Sequence, residues 1–180
     1  MNTLQKRLIG GTLVAAVAGT ITQFEGYSTT PYYDSAGVLT VCYGSTGNVI
    51  AHQKLTDAQC MDRLKVDIAE HSKALTGLPS DVPDAVLLGS IDMAYNIGVY
   101  GFSNSTTAKR LAAKDYTGAG KAVLRWKYIT VNGTKYDCSV AGNKVCSGLW
   151  KRRVWQSKAI GNEFKTLNEA VKARDDLLKG

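Results

Sequence analysis

The apolar positions of the chain fall into a few distinct rhythms, and each predicts an element. Residues 8–21 carry no charge and follow Lys6 and Arg7. Within and just beyond that run, Val14, Val17, Ile21 and Phe24 recur at three- and four-residue steps, the spacing of one helix face. The face predicts a packing helix that runs straight into Glu25. Over residues 26–47 the rhythm becomes aromatic, β-branched and glycine-rich: Tyr32-Tyr33-Asp34, Val38-Leu39-Thr40-Val41, then Tyr43-Gly44. Short runs divided by Ser35-Ala36-Gly37 predict a small antiparallel hairpin system. Helical spacing returns at Thr56, which can cap a helix, with Gln59 three residues later as in a capping box. Leu64, Ile68 and Leu75 mark its buried face, and Gly77-Leu78-Pro79 ends it.

Pro83 stands near the start of the next helix, where a proline is tolerated. Residues 85–97 are nearly all apolar, which predicts a helix buried on most sides. Gly98, Gly101 and Ser103-Asn104-Ser105 predict a turn before a helix through Leu111, and residues 121–128 predict a further helix. The glycine, asparagine and cysteine of 129–148 suit a hairpin or loop insertion. Residues 149–160 and 164–178 close the chain as helices. A helix, a small sheet and then helices define an α+β class with a small sheet lobe and a larger helical one. No repeat or low-complexity linker divides it.

Composition narrows the partners. The 180 residues are 44% hydrophobic and 21% charged, with the charges interspersed, so the body is globular and needs no cofactor to fold. A formal net charge of +7 favours polyanions: nucleic acid, an anionic membrane surface or the acidic polymers of a bacterial envelope. No helix-turn-helix, zinc-finger or ribonucleoprotein signature supports nucleic acid. Cys42, Cys60, Cys138 and Cys146 lack close metal-binding pairs, and His52 and His71 form no HExxH motif, so no metal is expected. Two disulfides in an oxidising compartment suit the even count, with free buried thiols as the alternative. The expected pairs are Cys42–Cys60, linking sheet to helix, and Cys138–Cys146, closing a late loop. A monomer is expected.

The amino terminus reads in two ways. Its basic flank and apolar core resemble a secretory signal, and Ala16-Val17-Ala18 looks like a cleavage site. A membrane span needs about 20 residues, and this stretch is shorter and carries Gly10, Gly11 and Gly19. Cutting after Ala18 would leave six residues before Glu25 and destroy the predicted helix. The favoured expectation is therefore an uncleaved segment, 1–24. It tethers the protein to the inner membrane, exports it to the periplasm, and then becomes the first helix of a domain spanning 12–180. The plain alternative is an ordinary first helix in a protein held in the cytoplasm until the membrane is permeabilised.

Glycoside hydrolysis uses two carboxyl groups, one protonated to assist the leaving group and one ionised. Glu25 at a helix end, Asp34 in the strand region and Thr40 on the neighbouring strand can surround one cleft. Equally, Glu25 can cap a turn, Asp34 can begin one, and Thr40 can be a plain strand residue.

Glu25-x8-Asp34-x5-Thr40 resembles the catalytic pattern of the phage-type lysozymes, the endolysins of tailed phages (glycoside hydrolase family 24). The flanks Phe24-Glu25-Gly26 and Thr40-Val41-Cys42-Tyr43-Gly44 resemble the family as well. So do Ala94-Tyr95-Asn96-Ile97-Gly98, Gly101-Phe102-Ser103-Asn104-Ser105, Arg125-Trp126 and Gly148-Leu149-x-x-Arg152-Arg153. The likeness covers residues 12–160. It implies a two-lobed lysozyme fold and hydrolysis of the β-1,4 bond between N-acetylmuramic acid and N-acetylglucosamine in peptidoglycan. Glu25 would be the acid, with Asp34 and Thr40 holding and polarising the water. Matching positions place Thr46, Tyr95, Asn96 and Ser105 along the sugar cleft, although Tyr95 could equally be a core aromatic. Arg152 and Arg153 would meet acidic lactyl or peptide groups, or pair with Asp or Glu. Ser45 departs from the pattern, since relatives often carry histidine there, which puts a structural ion pair in doubt. The rival readings are a lytic transglycosylase, which needs only the acid, and a non-catalytic membrane- or wall-binding protein.

Overall fold

The computed structural model describes residues 3–8, 10–34 and 37–179. The amino-terminal segment forms two helices, α1 (Thr3–Leu8) and α2 (Gly11–Phe24), with Gly10 extended between them. The α2 stripe facing the core is Leu13, Val17, Thr20 and Ile21, with Phe24 packed beside it. Val14 is instead turned about 100° from Leu13 and lines an apolar groove with Met61. The helix breaks at Gly10 and does not run back through residue 8 unbroken. Leu4 and Leu8 on α1 nevertheless join the same core.

The predicted hairpin forms from β1 (Ser28–Tyr33) and β2 (Leu39–Cys42), antiparallel, with Tyr32 opposite Thr40 and Tyr33 opposite Leu39. The register is irregular between Ser28 and Tyr32. Pro31 lies in that stretch and has no N–H to give the ladder. Next comes α3 (Asp57–Ser72), whose capping box is complete: Thr56 Oγ1 accepts from the Gln59 N–H, and the Gln59 side chain accepts from the Thr56 N–H at 2.8 Å. Cys60, Leu64 and Ile68 are buried on α3, and Leu75 follows in a short 3-10 turn.

α4 (Asp84–Ile97) is the central post of the fold. Every residue from Ala85 to Ala94 is buried, as the apolar run predicted. Against it packs α8 (Ser147–Ile160), so closely that a Cβ on Gly89 would lie 2.8 Å from the Ala159 Cβ. Between them come α5 (Val99–Ser103), α6 (Thr106–Ala112) and α7 (Tyr116–Val123); α9 (Leu167–Lys179) closes the chain.

Two further expectations need correction. The stretch 98–105 holds the short helix α5 as well as a turn. The helix expected over 121–128 lies earlier, because Asp115 caps α7 by accepting from the Gly118 N–H at 2.9 Å. Tyr128 instead begins a second hairpin, β3 (Tyr128–Val131) and β4 (Thr134–Asp137). Its Tyr-Ile-Thr-Val run is strand-forming. Asn132 and Gly133 connect the strands, both with positive φ, 49° and 77°, as a two-residue hairpin turn requires.

Both disulfides form in the expected pairs. Cys42–Cys60 ties β2 to α3, and Cys138–Cys146 staples the loop leading into α8.

Candidate active site

Glu25 is the residue on which α2 ends. Its N–H still donates to the Ile21 carbonyl at 2.8 Å, but its own backbone is extended, which turns the chain toward the sheet lobe. Phe24, one residue earlier, packs on Trp155 at 5.7 Å between ring centroids, which fixes the end of the helix. The Arg152 guanidinium lies over the Phe24 ring, 5.0 Å from its centroid. Arg152 Nη1 donates to Glu25 Oε1 at 2.6 Å. The remaining face of the carboxyl meets the turn after β2, where a Cβ on Gly44 would lie 3.7 Å from Oε2. Gly44 has φ +84°, a conformation other residues rarely take. A cavity of about 330 Å³ opens beside this group, lined by Phe24, Glu25, Asn96, Leu149, Lys151 and Arg152 among others.

Asp34 and Thr40 sit in the hairpin that begins just after Glu25. Asp34 Oδ1 accepts from the Val38 N–H at 2.9 Å, and the Asp34 N–H donates to the Val38 carbonyl at 3.0 Å. Thr40 is buried on β2, and its hydroxyl donates to the same Val38 carbonyl at 2.9 Å. One residue therefore anchors both polar side chains. The hairpin is held to the helical lobe at its far end, where the Tyr95 hydroxyl donates to the Tyr43 carbonyl at 2.8 Å. The Tyr95 ring also lies 4.8 Å from that of His71. Burial, with the charges of Asp67 and Glu25, pushes the Tyr95 hydroxyl far above the ordinary tyrosine range, so it remains a neutral donor.

The other residues singled out from the sequence scatter. Asn96 shares the cavity with Glu25, and its Oδ1 accepts from Arg153 Nη2 at 2.5 Å. Ser105 is buried and caps α6, accepting from the Ala108 N–H at 3.0 Å. Thr46 is exposed in the loop after β2. Arg152 and Arg153 are buried at 4% and 2% exposure, so both guanidinium groups work inside the fold. Burial beside Arg152 lowers the Arg153 pKa to about 10, which still leaves a cation at neutral pH. Ser45, in the place of the family's histidine, is buried and accepts from Arg63 Nε at 3.2 Å. Among the described residues no cluster of His, Cys, Asp and Glu could hold a metal.

Sequence reasoning overlooked Asp92 and Gln156. Asp92 is fully buried in α4 and accepts from Arg152 Nε at 3.0 Å, Arg152 Nη2 at 2.8 Å and Gln156 Nε2 at 2.6 Å. The signal was available: one carboxyl stands inside an apolar helix run, where an unpaired charge is prohibitively costly.

Comparison with known proteins places the chain in a family. Residues 22–156 match the phage lysozyme family model. The chain is 33% identical over 131 residues to a SAR-endolysin of Bacteriophage PS34, covering 72% of this chain and 71% of that one. It is 30% identical over 165 residues to a SAR-endolysin of Escherichia phage Mu, covering 83% and 94%. Among solved structures, an endolysin from Escherichia coli O157:H7 phage FAHEc1 superposes with a TM-score of 0.68 at 25% identity, over 83% of this chain and 92% of that one. The active form of the P1 phage endolysin Lyz shares the fold, with a TM-score of 0.63 at 20% identity over 82% and 84%. The chain belongs to the phage lysozyme family. It is a peptidoglycan-hydrolysing enzyme.

Proposed function

We propose that the enzyme cleaves the β-1,4 bond between N-acetylmuramic acid and N-acetylglucosamine, with Glu25 as general acid and Asp34 and Thr40 positioning and activating water. One observation carries this reading. The Glu25 carboxyl stands at the junction of the two lobes, beside an open cavity and held by a buried arginine. Glu25 gives its proton to the glycosidic oxygen as the bond to the anomeric carbon breaks. Water adds to that carbon from the opposite face and loses its proton to Asp34, with the Thr40 hydroxyl orienting it. Asn96 is the residue we assign to the sugar's polar groups within the same cavity. Glu25→Gln should abolish peptidoglycan clearance, and Asp34→Ala should cost a large factor. Near-full hydrolysis by Asp34→Ala would refute the role given to the water.

We also read residues 1–24 as a membrane tether that exports the protein to the periplasm and then folds into the domain. Similarity to proteins named SAR-endolysins supports it, as does the uncharged α2 sequence. In the folded structure no helix of the described residues is long and apolar enough to cross a membrane. The folded segment is secured instead by Leu4, Leu8 and Arg7, whose guanidinium donates to the Ser80 carbonyl at 2.7 Å and to Asp84 Oδ1 at 2.6 Å. Gly11 is exposed at the start of α2, and an added Cβ there has open space. Gly11→Leu should therefore hold more protein in the membrane fraction without loss of the purified enzyme's stability. An unchanged distribution, or a mature chain beginning at Gly19, would overturn the tether.

A further inference from the structure

We propose that Asp92 is a positioning residue for the general acid, acting through Arg152, an inference that rests on the reading of Glu25 as that acid. Arg152 has one planar fork and two carboxylates to satisfy. Asp92 takes two of its edges, Nε and Nη2, in parallel bonds of 3.0 and 2.8 Å. The geometry is bidentate and fixes the plane of the guanidinium. Only Nη1 is left to turn outward, and it reaches Glu25 Oε1 at 2.6 Å. The burial gradient runs the same way: Asp92 side chain 0% exposed, Arg152 4%, Glu25 22% at the cavity. Gln156 braces the inner end, donating to Asp92 Oδ2 at 2.6 Å while its Oε1 accepts from Arg153 Nη1 at 2.7 Å.

The charge balance gives Asp92 a second consequence. A general acid must hold its proton until the leaving group takes it. In general a neighbouring cation favours the ionised form of a carboxyl. Here Asp92 and Glu25 share one cation, Arg152. Among the described residues, α8 brings Arg153 and Lys151 toward Glu25, α4 brings the neutral Tyr95 hydroxyl, and the turn after β2 brings the Gly44 backbone. The hairpin adds Asp34, assigned above to the water on the far face of the sugar. Removing the Asp92 charge therefore shifts the balance one way. Arg152 is left to Glu25 alone, and the acid loses its proton at lower pH.

The test is the pH dependence of kcat on soluble peptidoglycan fragments, with folding checked by circular dichroism. In Asp92→Asn the alkaline limb should move to lower pH. The kcat at neutral pH should fall on the order of tenfold, KM should hold, and lowering the pH should recover most of the loss. Arg152→Lys provides the opposite displacement. A lysine has one point of charge and cannot grip Asp92 and reach Glu25 together, so it stays with the deeper carboxylate and the limb moves to higher pH. If Asp92→Asn does not fold, the Arg152→Lys displacement alone decides. Losses that are equal at every pH, or limbs that move the same way in both variants, overturn the proposal. Glu25→Gln is measured alongside: if it stays active the acid assignment falls, whereas unmoved limbs with an inactive Glu25→Gln overturn only the role of Asp92.

Discussion

Gly89→Ala adds one methyl group at the close crossing of α4 and α8 and so tests whether that contact sets the site. The new Cβ would lie 2.8 Å from the Ala159 Cβ, 3.2 Å from Ile160 Cγ1 and 3.4 Å from the Ile160 nitrogen. Carbon pairs rest at about 3.5–4.0 Å, so the helices must part by roughly 0.7 Å or more. Such overpacking costs about 1–3 kcal/mol, and alanine's better helix propensity returns about 1 kcal/mol. The expected net loss is about 1 kcal/mol, or a few degrees in Tm for a chain of this size. Activity should suffer more than stability. Asp92 lies one turn along α4 from Gly89, and Arg152 lies on α8, so separating the axes lengthens bonds of 2.8–3.0 Å that aim the guanidinium at Glu25. Thermal melts and turbidity clearance on the same preparation measure both effects. Gly11→Ala is the control, since its methyl enters open space and should stabilise by up to about 1 kcal/mol. A Gly89→Ala enzyme with raised Tm and full activity would refute the argument.

Three further outcomes follow from the structure. Arg7→Gln should lower stability by about 1–2 kcal/mol, less than its hydrogen bonds suggest because Asp84 is half exposed; an unchanged denaturation midpoint would show that α1 is not held by this contact. Replacing Cys138 and Cys146 by serine opens a loop of separation 8, and replacing Cys42 and Cys60 one of 18. The first should cost about 2.5 and the second about 3 kcal/mol in chain entropy, with equal costs arguing against that origin. Lys127, followed by Ser139, holds the Asp137 carboxyl down at about 2 against an ordinary 3.8. A depressed carboxyl stabilises the folded state above its unfolded value and loses that contribution as pH falls through the folded one. NMR of the β3–β4 hairpin should thus show Asp137 titrating near pH 2, and a midpoint near 3.8 would mean the pair with Lys127 does not form in solution.

What was legible in the sequence was whatever local periodicity or local chemistry encodes. The capping box at Thr56 and Gln59, the buried run of α4 and the hairpin around Asp34 and Thr40 are short-range signals, and each appears in place. The misplaced helix over 121–128 shows the limit: α7 begins at Asp115 because that side chain caps it. Its Gly120 sits where a Cβ would lie 2.5 Å from the Ser157 carbonyl, a constraint set by a distant helix. Val14 failed for a similar reason, since two adjacent stripes on α2 were apolar and only the packing partner chooses between them. The buried network of Asp92, Arg152 and Gln156 joins residues 60 and 64 positions apart, beyond the reach of spacing. Its one local trace was a carboxyl in an otherwise apolar helix.

The most direct measurement is digestion of purified peptidoglycan by the purified enzyme in water enriched in heavy oxygen, with mass spectrometry of the released ends. Attack by water held at Asp34 and Thr40 places the heavy label on the anomeric carbon of a reducing N-acetylmuramic acid end, and Glu25→Gln releases nothing. Unlabelled 1,6-anhydro ends, or labelled ends on N-acetylglucosamine, would contradict the account.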